Sequence, residues 1–325
     1  MSNILQMHLV AAQGQLLEHI LDETYPVWHE GLTRRTYGQW NAAQARTPWA
    51  RRNLERVALV DDDGSLLSSA KRYRFDARIA GRDVHLLGIG AVFTPAARRG
   101  RGYASTLIER LIDEAHADGA ALALLFSEIS TAFYERLSFT PVPLDEVRLQ
   151  VRLKGGSPAM LVRAGHETDL PAVSALHDTR SAGSRFALRR DVAHIQFMLA
   201  RKRLLAGLGP PGRRSVEFHV AEEGVSAVAY VMLSVDANGW TLVEAGDRDP
   251  AGARLGAMLQ VLLAREPSLE PPPIRAWWPR QFQVPPQIEI VERRDAADVL
   301  MMRSLREGSL PASADDVFYW RSDFF

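Results

Sequence analysis

One run of five residues contains three arginines and two glycines: Arg98, Arg99, Gly100, Arg101 and Gly102. The three guanidinium groups can form charge-assisted hydrogen bonds with phosphate oxygens. The two glycines lack side chains and so let a bound group approach the main chain closely. This combination of residue types predicts a binding site for an anion, with phosphate as the group it suits best.

The elements on either side of this run would position it. Leu87–Phe93 is an apolar run typical of a strand, and Pro95 ends it because proline cannot donate to a sheet ladder. A helix is expected directly after the run, with one apolar face formed by Leu107, Ile108, Leu111 and Ile112. The unpaired N–H groups at the start of that helix, together with its dipole, would favour a bound anion.

The spacing Arg99-x-x-Gly102-x-Ala104 resembles the Arg/Gln-x-x-Gly-x-Gly/Ala signature of the GNAT superfamily of N-acetyltransferases. No Lys-Ser/Thr pair follows, so the run is not the phosphate loop of nucleotide hydrolases. It also lacks the Gly-x-Gly-x-x-Gly pattern of dinucleotide-binding folds. The resemblance covers roughly residues 50–145 and implies an acyl-CoA site.

A second element resembles the same family. After the strand-like run Ala120–Phe126, the sequence Phe133-Tyr134-x-x-x-Ser138-Phe139 is similar to the Phe-Tyr-x-x-x-Gly-Phe element of these enzymes. In the family this tyrosine protonates the departing thiolate, which gives that role to Tyr134. Ser138 stands where the family has glycine, so the tightness of this turn is open.

The resemblance also implies how acetyl-CoA would bind. Its pantetheine arm would pair with main-chain groups of Ala91, Val92 and Phe93, and glycines at Gly88 and Gly90 fit a bulge that separates the two central strands. Its pyrophosphate would lie on the arginine- and glycine-rich turn and the start of the helix, which comprise Arg98, Arg99, Gly100, Arg101, Gly102, Tyr103, Ala104 and Ser105.

The base that removes the amine proton is open at this stage. Glu128 follows the strand end and is the first candidate, and His29 is the second. In the Eis type of acetyltransferase the terminal carboxylate serves as base, and the aromatic tail that ends at Phe325 permits the same here. An ordered water is the remaining candidate. We expect this tail to be packed rather than exposed.

The composition sets broad limits on function. The chain has 325 residues, 39 Lys and Arg, 39 Asp and Glu, and no cysteine. Zero formal net charge gives no reason to expect nucleic-acid or membrane partners, and the absence of cysteine excludes disulfides and thiolate metal sites. The three aspartates Asp61–Asp63 followed by glycine favour a turn rather than a metal site, so we expect no metal. We expect no transmembrane segment and a cytoplasmic location.

The length predicts two domains. We assign residues 1–153 to an active acetyltransferase domain and 159–325 to a degenerate copy, with a linker at Lys154–Pro158. The alternating run Val147–Arg152 would form an edge strand that closes the first domain, and Ile288–Val291 would pair with Val299–Met302. The second copy carries aspartates where the arginine turn should stand, which favours a structural role.

The predicted fold class is therefore α/β (α+β), with two tandem GNAT-like domains that each have a mixed central sheet flanked by helices. The predicted function is acetyl transfer from acetyl-CoA to a primary amine of a small molecule or peptide, by direct attack in a ternary complex. Alternatives are a non-catalytic CoA-binding or regulatory module and an acyltransferase that uses another donor. The tandem organisation resembles the Eis type and, loosely, fungal lysine acetyltransferases; a homo-oligomer is left open.

Overall fold

The computed structural model describes residues 6–152, 160–266, 271–306 and 313–325. The predicted linker lies outside these residues, so the two domain boundaries stay a prediction. The strands of the described residues, in chain order, are β1 (Met7–Ala11), β2 (Leu54–Asp61), β3 (Leu66–Ile79), β4 (Arg82–Phe93), β5 (Leu122–Ser127), β6 (Thr140–Val142), β7 (Asp145–Val151), β8 (Val162–Ala164), β9 (Phe186–Leu188), β10 (Arg214–Glu223), β11 (Ser226–Asp236), β12 (Gly239–Asp247), β13 (Ile274–Trp277), β14 (Ile288–Asp295), β15 (Val299–Ser304) and β16 (Val317–Phe318).

The helices flank these strands. They are α1 (Gly14–Trp28), α2 (Arg34–Ala45), α3 (Ala50–Asn53), α4 (Tyr103–Ala117), α5 (Ala132–Glu135), α6 (Leu170–Ser181), α7 (Val192–Leu208) and α8 (Ala253–Ala264). The apolar face predicted for the helix after the arginine run is confirmed, since its four residues are the buried ones of α4. Among the described residues, no helix is both long and apolar enough to cross a membrane.

The strands form two mixed sheets. The first has the order β1-β2-β3-β4-β5-β15-β6, with β9 paired to the far end of β3 and β16 paired to β9. The second has the order β14-β7-β13-β12-β11-β10-β8. Each sheet has a parallel pair at its centre, β4 with β5 in the first and β12 with β13 in the second. This repetition agrees with two copies of one fold in tandem.

The two sheets exchange a strand. β7 lies between β13 and β14 in the second sheet, and β15 lies between β5 and β6 in the first. The expectation that Val147–Arg152 closes the first domain is therefore wrong, and so is the pairing expected between Ile288–Val291 and Val299–Met302. Period-two alternation gives a strand one apolar face, but that face can pack on either sheet, so the pattern does not identify the partner.

One hydrophobic core joins the sheets. It includes Tyr73 and Phe75 of β3 together with Phe186, Trp277 and Tyr319 from the second half of the chain. All five rings have at most 4% of their surface exposed. Because burial of large aromatic side chains is strongly favourable, this shared core holds the two sheets together.

Helix α1 contains a proline in its last turn. Proline disfavours a helical conformation in the residue before it, but α1 continues through Pro26 to Trp28. Proline costs one helical hydrogen bond, here that of the Asp22 carbonyl, and Asp22 is exposed, so water can satisfy the group. The extra turn brings Trp28 to the central cleft.

A buried ion cluster anchors the last residues of the chain. The Arg190 guanidinium is fully buried and lies 2.6 Å from Glu244 Oε1 on β12, and it also contacts the Asp323 carboxylate. The Tyr230 hydroxyl donates to Glu244 Oε1 at 2.6 Å, and the Trp320 N–H donates to Asp323 Oδ2 at 2.9 Å. Burial raises the pKa of Asp323 to about 6, although the Arg190 charge acts in the opposite direction.

Replacing the central cation should strongly destabilise the protein. Arg190→Met leaves two buried carboxylates without a counter-charge, and loss of one partner of such a cluster typically costs about 3–5 kcal/mol. The loss, measured by urea unfolding at pH 8, should be smaller at pH 5. A carboxyl whose pKa is higher in the folded than in the unfolded protein favours folding as the pH falls through that range.

Arg248→Met is the matched control, because Arg248 forms an exposed ion pair with Glu223 at 2.9 Å. It should change the free energy of unfolding by less than about 1 kcal/mol at either pH. Equal effects of the two substitutions would contradict the importance assigned to the cluster.

Candidate active site

The two central strands of the first sheet separate at one point. β4 and β5 pair from Leu86 with Leu122 up to Ile89 with Leu125, and no pair follows. Beyond Ile89, the main chain of β4 therefore has free hydrogen-bonding groups on the side that faced β5. A gap of this shape can accept an extended ligand as though it were a further strand.

A bulge in β4 accompanies the separation, but it lies beyond the two glycines predicted to form it. Gly88 and Gly90 pair regularly with β3, and the register shifts between Gly90 and Phe93. Ala91 has φ +47°, a left-handed conformation that costs energy for a residue with a side chain. The strain is therefore located at Ala91, inside the gap between the strands.

The two glycines have a different function, which is to leave room for aromatic rings. A β-carbon at Gly88 would lie 2.5 Å from the ring of Phe75, which real structures do not tolerate. A β-carbon at Gly90 would lie 3.2 Å from the Tyr73 ring and 3.4 Å from the Phe325 ring. Gly90 thus allows the end of the chain to pack directly on the central strand.

The predicted anion site has the expected geometry. Gly100 and Gly102 have φ of +74° and +81°, and no atom lies within 4 Å of the space that a β-carbon would occupy at either. Gly102 is the N-cap of α4, so the next three N–H groups have no helical partner. These groups belong to Tyr103, Ala104 and Ser105.

The three arginines surround this turn in different ways. Arg99 and Arg101 are exposed, and Arg99 Nε donates to the Thr94 carbonyl at 3.1 Å. Arg98 Nη2 lies 3.9 Å from Asp61 Oδ2. Asp61 itself begins the predicted aspartate turn, where its Oδ1 accepts the N–H of Ser65 at 2.8 Å. The turn interpretation of the aspartate run is thereby confirmed.

A cleft of about 170 Å³ opens beside the gap between β4 and β5. The main chain at Gly90, Ala91 and Val92 forms one wall, and Tyr134 and Glu128 lie on the β5 side. Phe93 is mostly buried, and its carbonyl accepts a hydrogen bond from Ser68 at 2.9 Å. Tyr134, predicted from its motif, and Glu128, predicted from its position after the strand, therefore line the same cleft.

The environment shifts the pKa values of both side chains. Burial, reinforced by the negative charge of Glu128, raises the pKa of Tyr134 to about 12. Glu128 lies at the rim, but the cleft walls still desolvate its carboxylate, and this raises its pKa. The negative charge of Asp298 raises the pKa further, and a hydrogen bond with Trp28 lowers it. The turn after Tyr134 is as tight as the glycine form, because Ser138 adopts φ +62°.

His29 does not line the cleft. Its side chain is exposed, and its Nδ1 accepts the N–H of Gly31 at 3.0 Å. The residues on either side of it, Trp28 and Glu30, line the cleft instead. The candidate His29 therefore belongs to a segment that reaches the cleft, but its own side chain points elsewhere.

Sequence reasoning missed the cations of the cleft. Arg56, Lys71 and Arg201 line it, and they come from β2, β3 and α7. Lys71 Nζ lies 5.8 Å from the centre of the Trp40 ring. Burial, with the charges of Arg56 and Arg201, lowers the pKa of Lys71 well below its usual range. No local motif marks these residues, because they meet only through tertiary packing.

The aromatic tail is packed, as expected, and it lies at the same cleft. The Phe325 ring lies 4.8 Å from Tyr73 and 5.7 Å from Phe126, measured between ring centres. The Phe324 ring lies 4.9 Å from Phe126, and the Phe324 carbonyl accepts a hydrogen bond from Arg201 Nη1 at 2.8 Å. The tail therefore reaches from the second half of the chain to the bulged segment of β4.

The second copy has its own carboxylate at the helix start that corresponds to the open start of α4. Gly252, with φ +67°, is the N-cap of α8, in parallel with Gly102. Asp247 Oδ2 accepts the N–H of Leu255 in the first turn at 2.9 Å, and Asp247 Oδ1 accepts the N–H of Asp249 at 2.8 Å. An internal anion thus occupies this helix start.

The gap between β12 and β13 in the second sheet is also filled. These strands pair only from Trp240 to Leu242, and the next residues include Glu244 of the buried ion cluster. The turn Arg321–Asp323 packs on β12, and the Arg321 guanidinium lies 4.9 Å above the Trp277 ring. The second copy therefore uses its gap to hold the tail.

Comparisons with known proteins agree with this architecture. Residues 21–142 match the family model of the acetyltransferase (GNAT) domain. No curated protein matches the chain at a significant level. The fold of the whole chain is similar to several solved structures. These are a GCN5-related N-acetyltransferase from Kribbella flavida (TM-score 0.68, 17% identity, 92% of this chain and 71% of that one), one from Anabaena variabilis (0.67, 11%, 93% and 73%) and a protein from Enterococcus faecalis V583 described as a probable N-acyltransferase (0.67, 13%, 93% and 73%).

Residues 21–142 therefore match the GNAT acetyltransferase domain, in agreement with the resemblance of the two motifs. The structural likenesses extend over both halves of the chain and confirm the fold of two tandem GNAT-like domains. At these identities they establish the fold alone. The similarity to the Eis type and to fungal lysine acetyltransferases stays a prediction.

Proposed function

We propose that this protein transfers an acetyl group from acetyl-CoA to a primary amine of a small molecule or peptide. The observation that carries the proposal is the convergence of three features in one cleft. These are the bulged main chain at Ala91, the buried hydroxyl-bearing side chain of Tyr134 and the carboxylate of Glu128. All three lie in the domain whose sequence matches the acetyltransferase family.

The donor would bind along the first domain. Its pyrophosphate would accept hydrogen bonds from the N–H groups of Tyr103, Ala104 and Ser105, with charge from Arg99 and Arg101. Its pantetheine arm would pair with the free side of β4 at Ala91, Val92 and Phe93. This arrangement would bring the thioester to the mouth of the cleft.

The transfer itself needs a base and an acid. Glu128 would accept a proton from the amine nitrogen, directly or through a water, as that nitrogen attacks the thioester carbonyl. Main-chain N–H groups at the bulge would stabilise the oxyanion. When the carbon–sulfur bond breaks, the leaving thiolate would take the proton of Tyr134, whose raised pKa keeps it protonated in the assay range.

Two alternatives lead to different observations. A CoA-binding module without activity would bind acetyl-CoA but release no thiol with any amine. An acyltransferase with another donor would release thiol from a longer acyl-CoA and not from acetyl-CoA. A thiol-release assay across a panel of amines and acyl donors therefore separates all three.

The first prediction concerns the donor site. Arg99→Glu combined with Arg101→Glu should weaken acetyl-CoA binding about 100-fold or more, because two favourable charges near the pyrophosphate become repulsive. The measurement is titration calorimetry on the folded double variant. The matched control is Arg51→Glu with Arg52→Glu, which reverses two exposed charges on α3. Equal affinities of the two double variants would contradict the site.

The second prediction concerns the acid. Tyr134→Phe should lower kcat by about 10²–10⁴-fold and leave acetyl-CoA affinity unchanged, because only the transition state uses the proton. Tyr25→Phe is the control, since its hydroxyl donates to the Leu32 carbonyl outside the cleft. Full turnover by Tyr134→Phe would show that another group or water protonates the thiolate.

The third prediction concerns the base. With an acceptor whose amine is already neutral in the assay range, wild-type activity should fall as the pH drops through the raised pKa of Glu128 and the carboxylate becomes protonated. Glu128→Gln should abolish this loss of activity at low pH and should lower kcat. Glu292→Gln, an exposed acid on β14, should leave the profile unchanged.

The tail contains the competing candidate for the base. In a chain that ends at Phe325, its carboxylate could serve as the base in place of Glu128. Phe325→Ala would keep this carboxylate but lose the ring, whereas removal of Phe325 would displace it. A loss of turnover on removal but not on substitution, with Glu128→Gln active, would assign the base to the tail.

A further inference from the structure

A second cavity of about 300 Å³ continues from the cleft towards the second sheet. The two spaces share Glu30, Trp40, Arg201 and Phe324 as wall residues. The far wall is the face of β12 and β13 around Arg275. A ligand with its reactive end beside Ala91 can therefore extend into this cavity, which makes it the natural place for the remainder of the acceptor.

The charges of this cavity are not balanced. Arg214 lies 3.7 Å from Glu30, and Arg321 lies 3.8 Å from Glu146, so these two cations have partners. Within the described parts of the chain, no carboxylate lies within 4.0 Å of Arg201, Lys202 or Arg275, which is the distance that defines an ion pair. Three cations thus share the cavity without acidic partners.

The acids of the cavity do not compensate for these cations. Glu30 and Glu146 are already paired, and Asp236 accepts the N–H of Asn238 at 2.7 Å in its own turn. Burial, with the charges of Arg201 and Arg321, lowers the pKa of Lys202 to about 7. Burying several cations together is unfavourable unless an anion joins them.

The cavity also contains an unpartnered donor. Trp277 is 1% exposed and lines the wall, and its indole Nε1 has no hydrogen-bond partner among the described residues. Buried donors normally have partners, so this group is suited to a bound acceptor atom. Cationic side chains and this neutral donor thus line a space that opens onto the cleft.

We propose that the acceptor is an amine that also carries a carboxylate, and that Arg275 and Lys202 bind this carboxylate. This inference rests on the proposed acetyltransferase function. The amine end would lie near the acids Glu128 and Glu30, and the carboxylate end would lie among the unpaired cations. A polycationic amine would be repelled by the same three side chains.

The test uses matched pairs of acceptors. These are 4-aminobutanoate, 5-aminopentanoate and 6-aminohexanoate, each compared with its primary amide, which has the same length and lacks the charge. For the best pair, wild-type enzyme should show a KM for the acid about 10- to 100-fold below that for the amide, with similar kcat. That range is the effect expected from hydrogen bonds to a charged group.

Substitution of the cation should remove this preference. Arg275→Gln should raise the KM of the acid towards that of the amide and leave the KM values of the amide and acetyl-CoA unaffected. Lys202→Gln provides a second variant if the first does not fold. Arg152→Gln is the control, because Arg152 is an exposed arginine that pairs with Glu289 at 3.0 Å.

The outcomes separate the two proposals. Equal use of acid and amide by wild-type enzyme would overturn the carboxylate site while the acetyltransferase function stands. If no amine is acetylated, the proposed function fails, and calorimetric binding of 5-aminopentanoate then decides the site alone. Binding lost in Arg275→Gln but kept in Arg152→Gln would support it; no binding, or equal binding, would overturn it.

Discussion

The contact of Arg190 with Glu244 and Asp323 is the constraint on which the arrangement of the cleft depends. The cation and both carboxylates are fully or almost fully out of solvent, so each charge is tolerated only because the others are present. Asp323 stands one residue before Phe324, and its position determines where the last two rings lie. A fixed Asp323 therefore places Phe324 and Phe325 against β5 and Gly90 in the other sheet.

The strand exchange also fixes the arrangement of the cleft. With β7 in the second sheet and β15 in the first, neither sheet is complete without a strand from the other half of the chain. The cleft lies where the halves meet, and its walls come from β4 and β5 on one side and from Arg201 and Phe324 on the other. Because the two halves share strands, these walls keep fixed positions relative to each other, whereas two domains joined only by a flexible linker would not hold them in place.

The sequence predicts the features that depend on neighbouring residues. Arg99, Gly102 and Ala104 identify the helix start, and Tyr134 follows from a motif of seven residues, because both are single local structures. The bulge at Ala91, the exchange of β7 with β15 and the position of Arg275 depend on pairing between distant segments. An alternating pattern indicates that a strand has one apolar face, but it does not indicate which sheet the strand joins. Likewise, the sequence around a single arginine such as Arg201 does not indicate which residues its side chain will contact.

In the second copy, one change, the packing of the tail into the central gap, can account for two differences from the first domain. In the first domain the central gap is open, the bulge at Ala91 faces a cleft, and the start of α4 presents free N–H groups. In the second, the tail fills the gap and Asp247 occupies the start of α8. A gap that anchors the tail cannot also hold a pantetheine arm, so a donor site there would have no use. The face of β12 and β13 that is turned towards the cleft then forms the wall beside Arg275. On the proposed function, the second copy gave up donor binding and came to shape the acceptor side of the first.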